Sequence, residues 1–564
     1  MISVSDKIWT EQKVNKNLVE KFKQDYGFGD ILSKLIVSRN YDASEIYGIN
    51  NNQKLINIFK NDRDFQKAGQ ILINSINKNE NICILGDYDV DGACATSLLV
   101  RYFKHINQKH FFYIPDRIED GYGASKKLFQ KLILKKPKLI IMVDCGSTSN
   151  EAIDFLKKNN IKSIIIDHHE INKPYPQSNV IINPKKNLIK KESSLLCATA
   201  LTYFFIEILI KKNKSNFNLS NFLIYVLLAT ICDVMPLRKI NKIIASNTIK
   251  NFNFKENKAI NYIFEKNHLK RKLTTDDLGF LIGPIINAGG RLNNSNYGVE
   301  LLSSDDQKVI KDRSDRLINL NNQRKLIEEN ILDGIDFNQI KNENKNVIIY
   351  YKKDLNEGLI GIIASRLKDY FNKPSIVITK SKNILKASAR STTAYNVGYL
   401  IKSLIDENII DNGGGHNMAA GFTMKKNNLK IVDDFIQNDY LKKSSLTVNS
   451  SKFDLELSAS AINSKFINDI SKLGPFGNFN HLPIFLIKNL KIIKFNVIKN
   501  KHISAIMKPE TGTTIKAICF NCLNTKLGDY LLSYKKKINI IGQIQENIWN
   551  NKKTIQLNIN DLIL

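Results

Sequence analysis

The sequence contains few cysteines and tryptophans, and too few acidic residues to balance its basic ones. Its 7 cysteines are an odd number, and most of them lie in apolar stretches. This pattern is typical of a reducing compartment and excludes a disulfide-stapled secreted domain. Cys519 and Cys522 form a C-x-x-C pair, but no second pair or nearby histidine completes a zinc site. We therefore interpret both as ordinary strand residues.

Long uncharged apolar runs are also absent. No stretch reaches the roughly 18 residues that a membrane-spanning helix needs. The first residues, MISVSDKIWTEQK, lack the apolar region of a signal peptide. We therefore expect a cytoplasmic protein with no membrane partner.

The deficit of acidic residues leaves a formal net charge of +29 over 564 residues. Such an excess favours a polyanionic partner, with nucleic acid first and an anionic membrane surface second. The alternative is compositional drift, because an A·T-rich genome also enriches lysine, asparagine and isoleucine. The length predicts three or four domains.

The first half of the chain alternates short apolar runs with helical patterns. The apolar runs 81–85, 139–143, 163–166 and 180–182 predict buried strands, and 93–105, 124–135 and 150–159 predict helices. This order predicts an α/β fold, with a parallel sheet covered by helices on both faces. Ligands of such sheets bind beyond the carboxyl ends of the strands.

Acidic and imidazole side chains follow these strands. They are Asp87, Asp89 and Asp91 after the first strand, Asp144 after the second, and Asp167, His168 and His169 after the third. Asp233 follows the apolar run 222–232, which we take as a fourth such strand. We expect these groups to share one crevice.

Crowded carboxylates raise each other's pKa unless a cation neutralises them. Mixed carboxylate and imidazole ligation suits Mn²⁺, and Mg²⁺ where oxygen dominates. Two such ions about 3.5–4 Å apart activate water and stabilise both oxygens of a phosphoester displacement. Helix N-caps and a calcium loop are the alternatives. Capping alone does not account for acidic residues after four separate predicted strands. A calcium loop would need a glutamate at the position that Leu98 occupies here.

Several blocks resemble the DHH phosphoesterase superfamily and, from about residue 60 to the end, the RecJ family of bacterial single-strand-specific DNA exonucleases. The blocks are GDYDVDG, VDCG, DHH, CDVMPL, PDRIEDGYG, IGPIINAGGRL, IGIIASRLKDYFNKPSIV, ASARS, NGGGHNMAAGF and LGPFGNFNHLPIF. Together these motifs are highly specific, although DHH alone would not be.

The resemblance implies the roles of individual residues. The metal positions are Asp87, Asp89, Asp91, Asp144, His168 and Asp233, with Asp144 bridging two ions. The catalytic residues are Asp144, His168 and His169. His169 faces the scissile phosphate, and Asp167 orients an imidazole. The residues implied at the DNA and its terminal phosphate are Arg117, Arg291, Ser388, Arg390, Gly414, Gly415 and His416.

Two blocks depart from the family pattern. Asn356 stands where a histidine is usual, which puts a substrate contact by that imidazole in doubt. The loop GPFGNFNHLP replaces the usual G-N-P-E-P. Neither departure changes the metal positions.

The rest of the chain predicts a helix and a β-rich end. Residues 300–335 resemble the long helix that joins the two catalytic lobes, and a coiled-coil segment is the alternative. The last ~115 residues contain five alternating runs that predict an OB-fold for single strands. Phe476, Phe479 and Trp549 are candidate stacking residues, with core packing as the alternative for each.

We accordingly expect a two-lobed DHH core with a parallel sheet, a connecting helix and an all-β OB-fold domain. The boundaries are 1–60 for an extension packing on the core, 61–298 and 341–440 for the lobes, 299–340 for the helix and 441–564 for the OB-fold.

The resemblance implies a 5′ to 3′ exonuclease that uses two Mn²⁺ or Mg²⁺ ions to release 5′-mononucleotides in DNA repair and recombination. It further implies a monomer whose partners are single-stranded DNA, a single-strand-binding protein and a helicase. Three alternatives stay open: a phosphodiesterase for short oligonucleotides or cyclic dinucleotides, a catalytically weak DNA scaffold, and a pyrophosphatase.

Overall fold

The computed structural model describes residues 1–116, 120, 123–186, 192–292, 294–443, 450–510, 512–533, 536–549 and 552–564. The chain divides into two units. The first unit comprises Met1–Leu55, Pro236–Asn247 and Thr447–Leu564, and the second comprises Ile56–Met235 and Thr248–Leu446. No helix among the described residues is both long and apolar enough to cross a membrane.

The strands of the described residues, in chain order, are β1 (Ile8–Glu11), β2 (Ile82–Leu85), β3 (His110–Tyr113), β4 (Leu139–Val143), β5 (Lys162–Ile166), β6 (Val180–Ile182), β7 (Ile348–Tyr351), β8 (Ser375–Ser381), β9 (Ile384–Arg390), β10 (Asn412–His416), β11 (Ala419–Met424), β12 (Ser450–Phe453), β13 (Leu455–Glu456), β14 (Ile484–Ile498), β15 (His502–Lys508), β16 (Ile515–Cys519), β17 (Ile538–Trp549) and β18 (Lys552–Ile563).

The α-helices are α1 (Lys16–Tyr26), α2 (Asp30–Ser38), α3 (Ala43–Asn50), α4 (Arg63–Asn77), α5 (Val90–His105), α6 (Lys126–Leu132), α7 (Asn150–Lys158), α8 (Ala198–Asn213), α9 (Leu223–Cys232), α10 (Lys239–Asn251), α11 (Lys258–Lys266), α12 (Thr275–Asp277), α13 (Gly283–Arg291), α14 (Asn296–Leu302), α15 (Gln307–Asp333), α16 (Phe337–Asn342), α17 (Ile360–Phe371), α18 (Val397–Asp406), α19 (Leu429–Lys443), α20 (Ser464–Ser471) and α21 (Lys526–Ser533). A π-helix, Leu278–Ile282, joins α12 to α13.

The first sheet of the second unit is parallel, in the order β3-β2-β4-β5-β6. Every residue of β2 and β4 is buried, as expected of strands covered on both faces. The four strands predicted from apolar runs are confirmed, and β3 is a half-buried addition at the edge. The chain order reverses between β2 and β4, so a ligand crevice lies beyond these strand ends.

The apolar run before Asp233 is helix α9 (Leu223–Cys232), and Asp233 is its C-cap residue. The prediction of a fourth strand there was therefore wrong. Residues Ile224–Thr230 are all buried, so this stretch of the helix has no exposed face. In a run without a polar face, the spacing of polar residues cannot distinguish a helix from a strand.

The second lobe of this unit contains a mixed sheet, in the order β10-β11-β9-β8-β7. Its core lies between this sheet and helices α18 and α19. Helix α15 precedes the lobe and spans 27 residues. The helical pattern predicted over 300–335 is interrupted, since α14 ends at Leu302 and Asp306 caps α15.

The first unit is built on a closed barrel, in the order β14-β15-β16-β18-β17, with β17 also pairing with β14. The five predicted C-terminal strands are confirmed. The N-terminal segment belongs to this unit: β1 pairs in parallel with β12, and Leu35 and Ile36 pack in the barrel's core cluster. Residues 1–55 therefore share one compact unit with the barrel.

Candidate active site

Asp87 and Asp89 follow strand β2 in the turn that leads into α5, and Asp91 lies in the first turn of that helix. The Asp89 carboxylate caps the helix by accepting a hydrogen bond from the Gly92 amide at 3.0 Å. Asp87 and Asp91 are almost fully buried, with 2% and 1% of their surface exposed. Helix capping and the crowding of carboxylates therefore occur together here. Capping engages one oxygen of Asp89 and does not explain its neighbours.

The N-terminus of helix α8 holds the Asp91 carboxylate. The Ala198 amide donates to Oδ2 at 2.7 Å, and the Thr199 amide donates to Oδ1 at 2.8 Å. The Thr199 hydroxyl also donates to Oδ1 at 2.5 Å. These donors stabilise the ionised carboxylate and fix its direction.

Asp144 follows strand β4 with a φ of 62°, a conformation in which non-glycine residues are uncommon. Both carboxylate oxygens are buried, and neither accepts a hydrogen bond from the described residues. Burial, followed by the charges of Asp91, Asp89 and Asp87, raises its pKa well above the usual range. A buried carboxylate among other carboxylates needs a cation beside it.

His168 lies at the centre of the acidic groups. Its Nε2 is 3.4 Å from an oxygen of Asp144, 3.4 Å from an oxygen of Asp233 and 3.7 Å from an oxygen of Asp91. Burial lowers the pKa of His168 and favours the neutral imidazole that binds metals. Burial and the charges of Asp91 and Asp89 raise the pKa of Asp233.

His169 points to a different carboxylate. Its Nδ1 is 2.7 Å from Oδ1 of Asp167, and that oxygen also accepts from the His168 amide at 2.8 Å. Burial opposes the charged imidazole, but the hydrogen bond and the Asp167 charge outweigh it and raise the pKa of His169 to about 9. Burial alone would raise the pKa of Asp167, and its hydrogen bond with His169 lowers it instead. The contact with Asp167 therefore favours the protonated imidazole of His169.

The donor atoms form three groups, and within each group they lie within 4.8 Å of one another. The groups are Asp87, Asp89 and Asp144; Asp91, His168 and Asp233; and Asp144, His168 and His169. Asp144 belongs to two of them, which suits a bridging carboxylate. The oxygen-rich donor set and the Asp144 oxygens that lack hydrogen-bond donors fit divalent cations of the Mg²⁺ and Mn²⁺ type.

A cationic pocket surrounds the N-terminus of helix α17. A Cβ on Gly361, in its first turn, would stand 2.9 Å from Nη2 of Arg390 and 3.1 Å from Oγ of Ser388. The Arg390 guanidinium donates to the Ser388 hydroxyl at 3.2 Å. Arg291 reaches the same segment and donates to the Gly358 carbonyl at 2.9 Å. Two guanidinium groups beside a helix N-terminus make an anion-binding site.

Asn356 takes part in the turn that precedes this helix. Its side-chain oxygen accepts a hydrogen bond from the Gly358 amide at 2.8 Å. The asparagine therefore stabilises the turn on which Arg291 is anchored.

His416 ends strand β10 beyond three glycines. Burial lowers its pKa, and the positive charges of Lys185 and His169 add to this effect. At Gly414 a Cβ would meet no atom within 4 Å, which leaves its backbone open to a ligand. A Cβ on Gly415 would come within 2.5 Å of the Ala420 Cβ. Arg117, predicted at the terminal phosphate, lies outside the described residues.

Sequence reasoning missed the residues that support the histidines. The Asn183 side-chain amide donates to the His169 carbonyl at 2.9 Å and to the Ser147 hydroxyl at 2.8 Å. Lys185 pairs with Glu170 at 2.8 Å beside them. The signal available in the sequence was the segment Asn183-Pro184-Lys185, which directly follows strand β6.

The barrel carries an exposed apolar and basic surface on β14 and β15. Phe495 is 43% exposed, and Lys494 precedes it on the same strand. Of the predicted stacking residues, Phe479 is 66% exposed, whereas Phe476 packs partly against the barrel core. The side chain of Trp549 lies outside the described part of the structure.

Family comparisons match three parts of the chain. Residues 81–231 match the DHH family N-terminal domain, 344–439 match the DHHA1 domain, and 453–561 match the RecJ OB domain. The fold and the carboxylate–imidazole cluster thus define a two-lobed DHH phosphoesterase with an OB domain.

Curated relatives identify the family within that class. A *Haemophilus influenzae* protein named single-stranded-DNA-specific exonuclease RecJ is 30% identical over 512 residues, covering 84% of this chain and 87% of the relative. A *Bacillus subtilis* protein of the same name is 26% identical and covers 98% of this chain and 70% of the relative. The chain belongs to the RecJ family.

Solved structures show the same fold. RecJ from *Thermus thermophilus* in complex with Mn²⁺ superposes with a TM-score of 0.83 at 19% identity, covering 99% of this chain and 79% of that one. An exonuclease RecJ bound to manganese superposes with a TM-score of 0.58 at 24% identity, covering 67% of this chain and 95% of that one.

Proposed function

We propose that this chain is a metal-dependent exonuclease that hydrolyses single-stranded DNA from the 5′ end and releases 5′-mononucleotides in DNA repair and recombination. The observation that carries the proposal is Asp144, a buried carboxylate among other carboxylates whose oxygens accept no hydrogen bond from the described residues. The names of the curated relatives support the substrate.

The metal site is proposed to consist of Asp87, Asp89, Asp91, Asp144, His168 and Asp233, with Asp144 shared between two ions. Bound Mn²⁺ or Mg²⁺ supplies positive charge for the phosphate and lowers the pKa of water. The neighbouring residues set up the site: the α8 N-terminus holds the Asp91 carboxylate in place, and burial favours the neutral imidazole of His168.

His169 is proposed to hold the scissile phosphate. As a cation kept in place by Asp167, it offers its Nε2–H to a phosphate oxygen and stabilises charge that develops there. Asp167 fixes the ring orientation and the proton on Nδ1. The 5′ polarity rests on the family resemblance, and Arg291, Ser388 and Arg390 are proposed to bind the terminal 5′-phosphate.

Further contacts to the strand are assigned to Gly414, Gly415 and His416, and to Arg117. Each proposed domain has its own role. Hydrolysis is performed by the two lobes, residues 61–298 and 341–440, which are connected by residues 299–340. The strand is bound by the OB-fold, residues 441–564. We also propose that the protein acts in the cytoplasm as a monomer, beside a single-strand-binding protein and a helicase.

Digestion of matched single-stranded and duplex DNA in Mn²⁺, Mg²⁺ or EDTA tests the proposal. We expect mononucleotides from the single strand with either metal and none in EDTA. Cleavage of dinucleotides with longer strands left intact would indicate a short-oligonucleotide phosphodiesterase. Binding without cleavage would indicate a scaffold, and hydrolysis of pyrophosphate alone a pyrophosphatase. Turnover in EDTA equal to that in Mn²⁺ would contradict the metal mechanism.

A further inference from the structure

Helix α12, the π-helix Leu278–Ile282 and helix α13 form a continuous helical segment that borders the acidic cluster at two points. A Cβ on Gly290 would stand 2.3 Å from the carbonyl oxygen of Tyr88, which lies between Asp87 and Asp89. At the other end, a Cβ on Gly283 would stand 2.3 Å from the sulfur of Cys232, the residue before Asp233. Close packing at both glycines holds this segment against the cluster.

The π-helix places a large aromatic ring on the outer side of this segment. Its residues Leu278 and Ile282 are buried, while Phe280 between them is 83% exposed. Val234, directly after Asp233, is also exposed, at 63%, and has a φ of 55°. Single exposed apolar residues are common, but π-helical turns occur frequently at functional sites. Gly279, the residue before Phe280, packs against α9, since its Cβ would stand 3.2 Å from Cγ2 of Ile231, two residues before Asp233. The exposed ring therefore belongs to a turn that packs against the end of α9.

The same helical segment connects Phe280 with the pocket for the terminal phosphate. Arg291, at the end of α13, contacts the Gly358 carbonyl in front of helix α17. Phe280 and Arg291 are separated by about three turns, or about 16 Å, and therefore lie on the same side of the segment. A strand whose 5′-phosphate lies at Arg291 and whose backbone crosses the acidic cluster would pass Phe280 a few nucleotides downstream.

We propose that Phe280 is a positioning residue that stacks on one base of the strand, downstream of the scissile bond. The inference rests on the proposed function, because it needs single-stranded DNA in the site. A benzene ring stacks on any base, so this contact would strengthen binding of the strand without sequence preference. It would limit sliding of the strand and hold the scissile phosphate near the metal site.

An abasic scan tests the contact. One abasic nucleotide is placed at successive positions of a 5′-phosphorylated single strand, and KM and kcat are measured in Mn²⁺ for wild type, Phe280→Ala and Phe280→Trp. At one downstream position, the lesion should raise the wild-type KM about 5- to 100-fold, the range of a lost stacking contact. In Phe280→Ala, the same lesion should change KM by less than about 2-fold, because no ring remains to stack on the missing base. Phe280→Trp should behave as wild type.

Leu134, 79% exposed on the same unit, provides the control, and Leu134→Ala should respond to the lesions as wild type does. A second readout needs no hydrolysis: 2-aminopurine at the responsive position, in EDTA, should be quenched by wild type and not by Phe280→Ala. Identical scans for wild type and Phe280→Ala, or a tryptophan variant that behaves like alanine, would overturn the contact. Absence of all hydrolysis by wild type, with the quenching intact, would instead contradict the proposed function alone.

Discussion

At the scale of single residues, the acidic cluster is a set of repelling charges that a cation relieves. Asp144 is the most constrained member, since it is fully buried and faces carboxylates on several sides. The sequence predicted this crowding because aspartates followed strands of one parallel sheet. It could not predict that two main-chain amides of α8 hold Asp91, because that contact spans 107 residues.

Asp144→Asn should abolish hydrolysis, by about 1000-fold or more, because metal ions contribute several kcal/mol to the barrier. Without metal, the variant should be more stable, with Tm higher by about 2–4 °C per kcal/mol of relieved repulsion. Calorimetry with and without Mn²⁺ checks both effects, since Mn²⁺ should raise the Tm of wild type and not of the variant. Asp154→Asn on the exposed side of α7 is the control. An equal rise of Tm with Mn²⁺ in both variants would exclude Asp144 from the metal site.

A second prediction concerns Lys242 in the first unit. Its Nζ is 3.3 Å from the Tyr41 hydroxyl and 4.3 Å from the centre of that ring. Burial lowers the pKa of Lys242 to about 8, opposed by Glu45 and assisted by Arg238. The folded state disfavours the charged amine, so this penalty is present in full below pH 8. It disappears as the pH rises towards the ordinary value of 10.5.

Lys242→Met should therefore raise Tm at pH 7, and the gain should shrink by pH 10. Thermal melts of wild type and Lys242→Met between pH 7 and pH 10 measure the difference in Tm. Groups that titrate in the same way in both proteins do not contribute to this difference. A gain independent of pH would show that packing, and not the buried charge, determines the effect.

At the scale of elements, helix N-termini provide the proposed contacts to anions. Helix α17 begins beside Arg390 and Ser388, and helix α8 begins at Asp91. The sequence predicted the arginines only through the family resemblance. Their meeting point could not be read from the sequence, since Arg291 and Gly358 are 67 residues apart and come together through the packing of two lobes.

Arg390→Ala should raise KM more for 5′-phosphorylated than for 5′-hydroxyl strands. A lost hydrogen bond to a charged group costs about 1.5–3 kcal/mol, or roughly 10- to 100-fold. Steady-state kinetics on the two strands measure this ratio, with Arg316→Ala on the exposed side of α15 as the control. Equal effects on both strands would place the terminal phosphate elsewhere.

Helix α9 shows why element types were harder to predict than element positions. Its residues are apolar except for Thr230 and the hydroxyl of Tyr225, so no polar face recurs with a helical period and the pattern was compatible with a buried strand. Strands β4 and β6 matched their predicted bounds because short apolar runs between turns admit few alternatives.

At the scale of the whole molecule, the N-terminal segment and the barrel form one folded unit. Truncation before the barrel would expose the core that residues 1–55 share with it, so substitution tests this domain better than deletion. The double variant Lys494→Ala/Phe495→Ala should weaken binding to long single strands about 5- to 100-fold, and leave dinucleotide cleavage unchanged. Single-strand affinity should also fall with salt, at about −0.7 per phosphate neutralised. Fluorescence titrations measure both effects, and equal loss on dinucleotides and long strands would contradict a binding role.

The proposed function requires that hydrolysis starts at a 5′ terminus of single-stranded DNA. This is tested by digesting three forms of one sequence in Mn²⁺: a 5′-labelled linear strand, a 3′-labelled linear strand and a closed circle. We expect that the 5′ label is released first as a mononucleotide, that the 3′ label persists in shortening fragments, and that the circle survives. Earlier release of the 3′ label, or ready cutting of the circle, would contradict it.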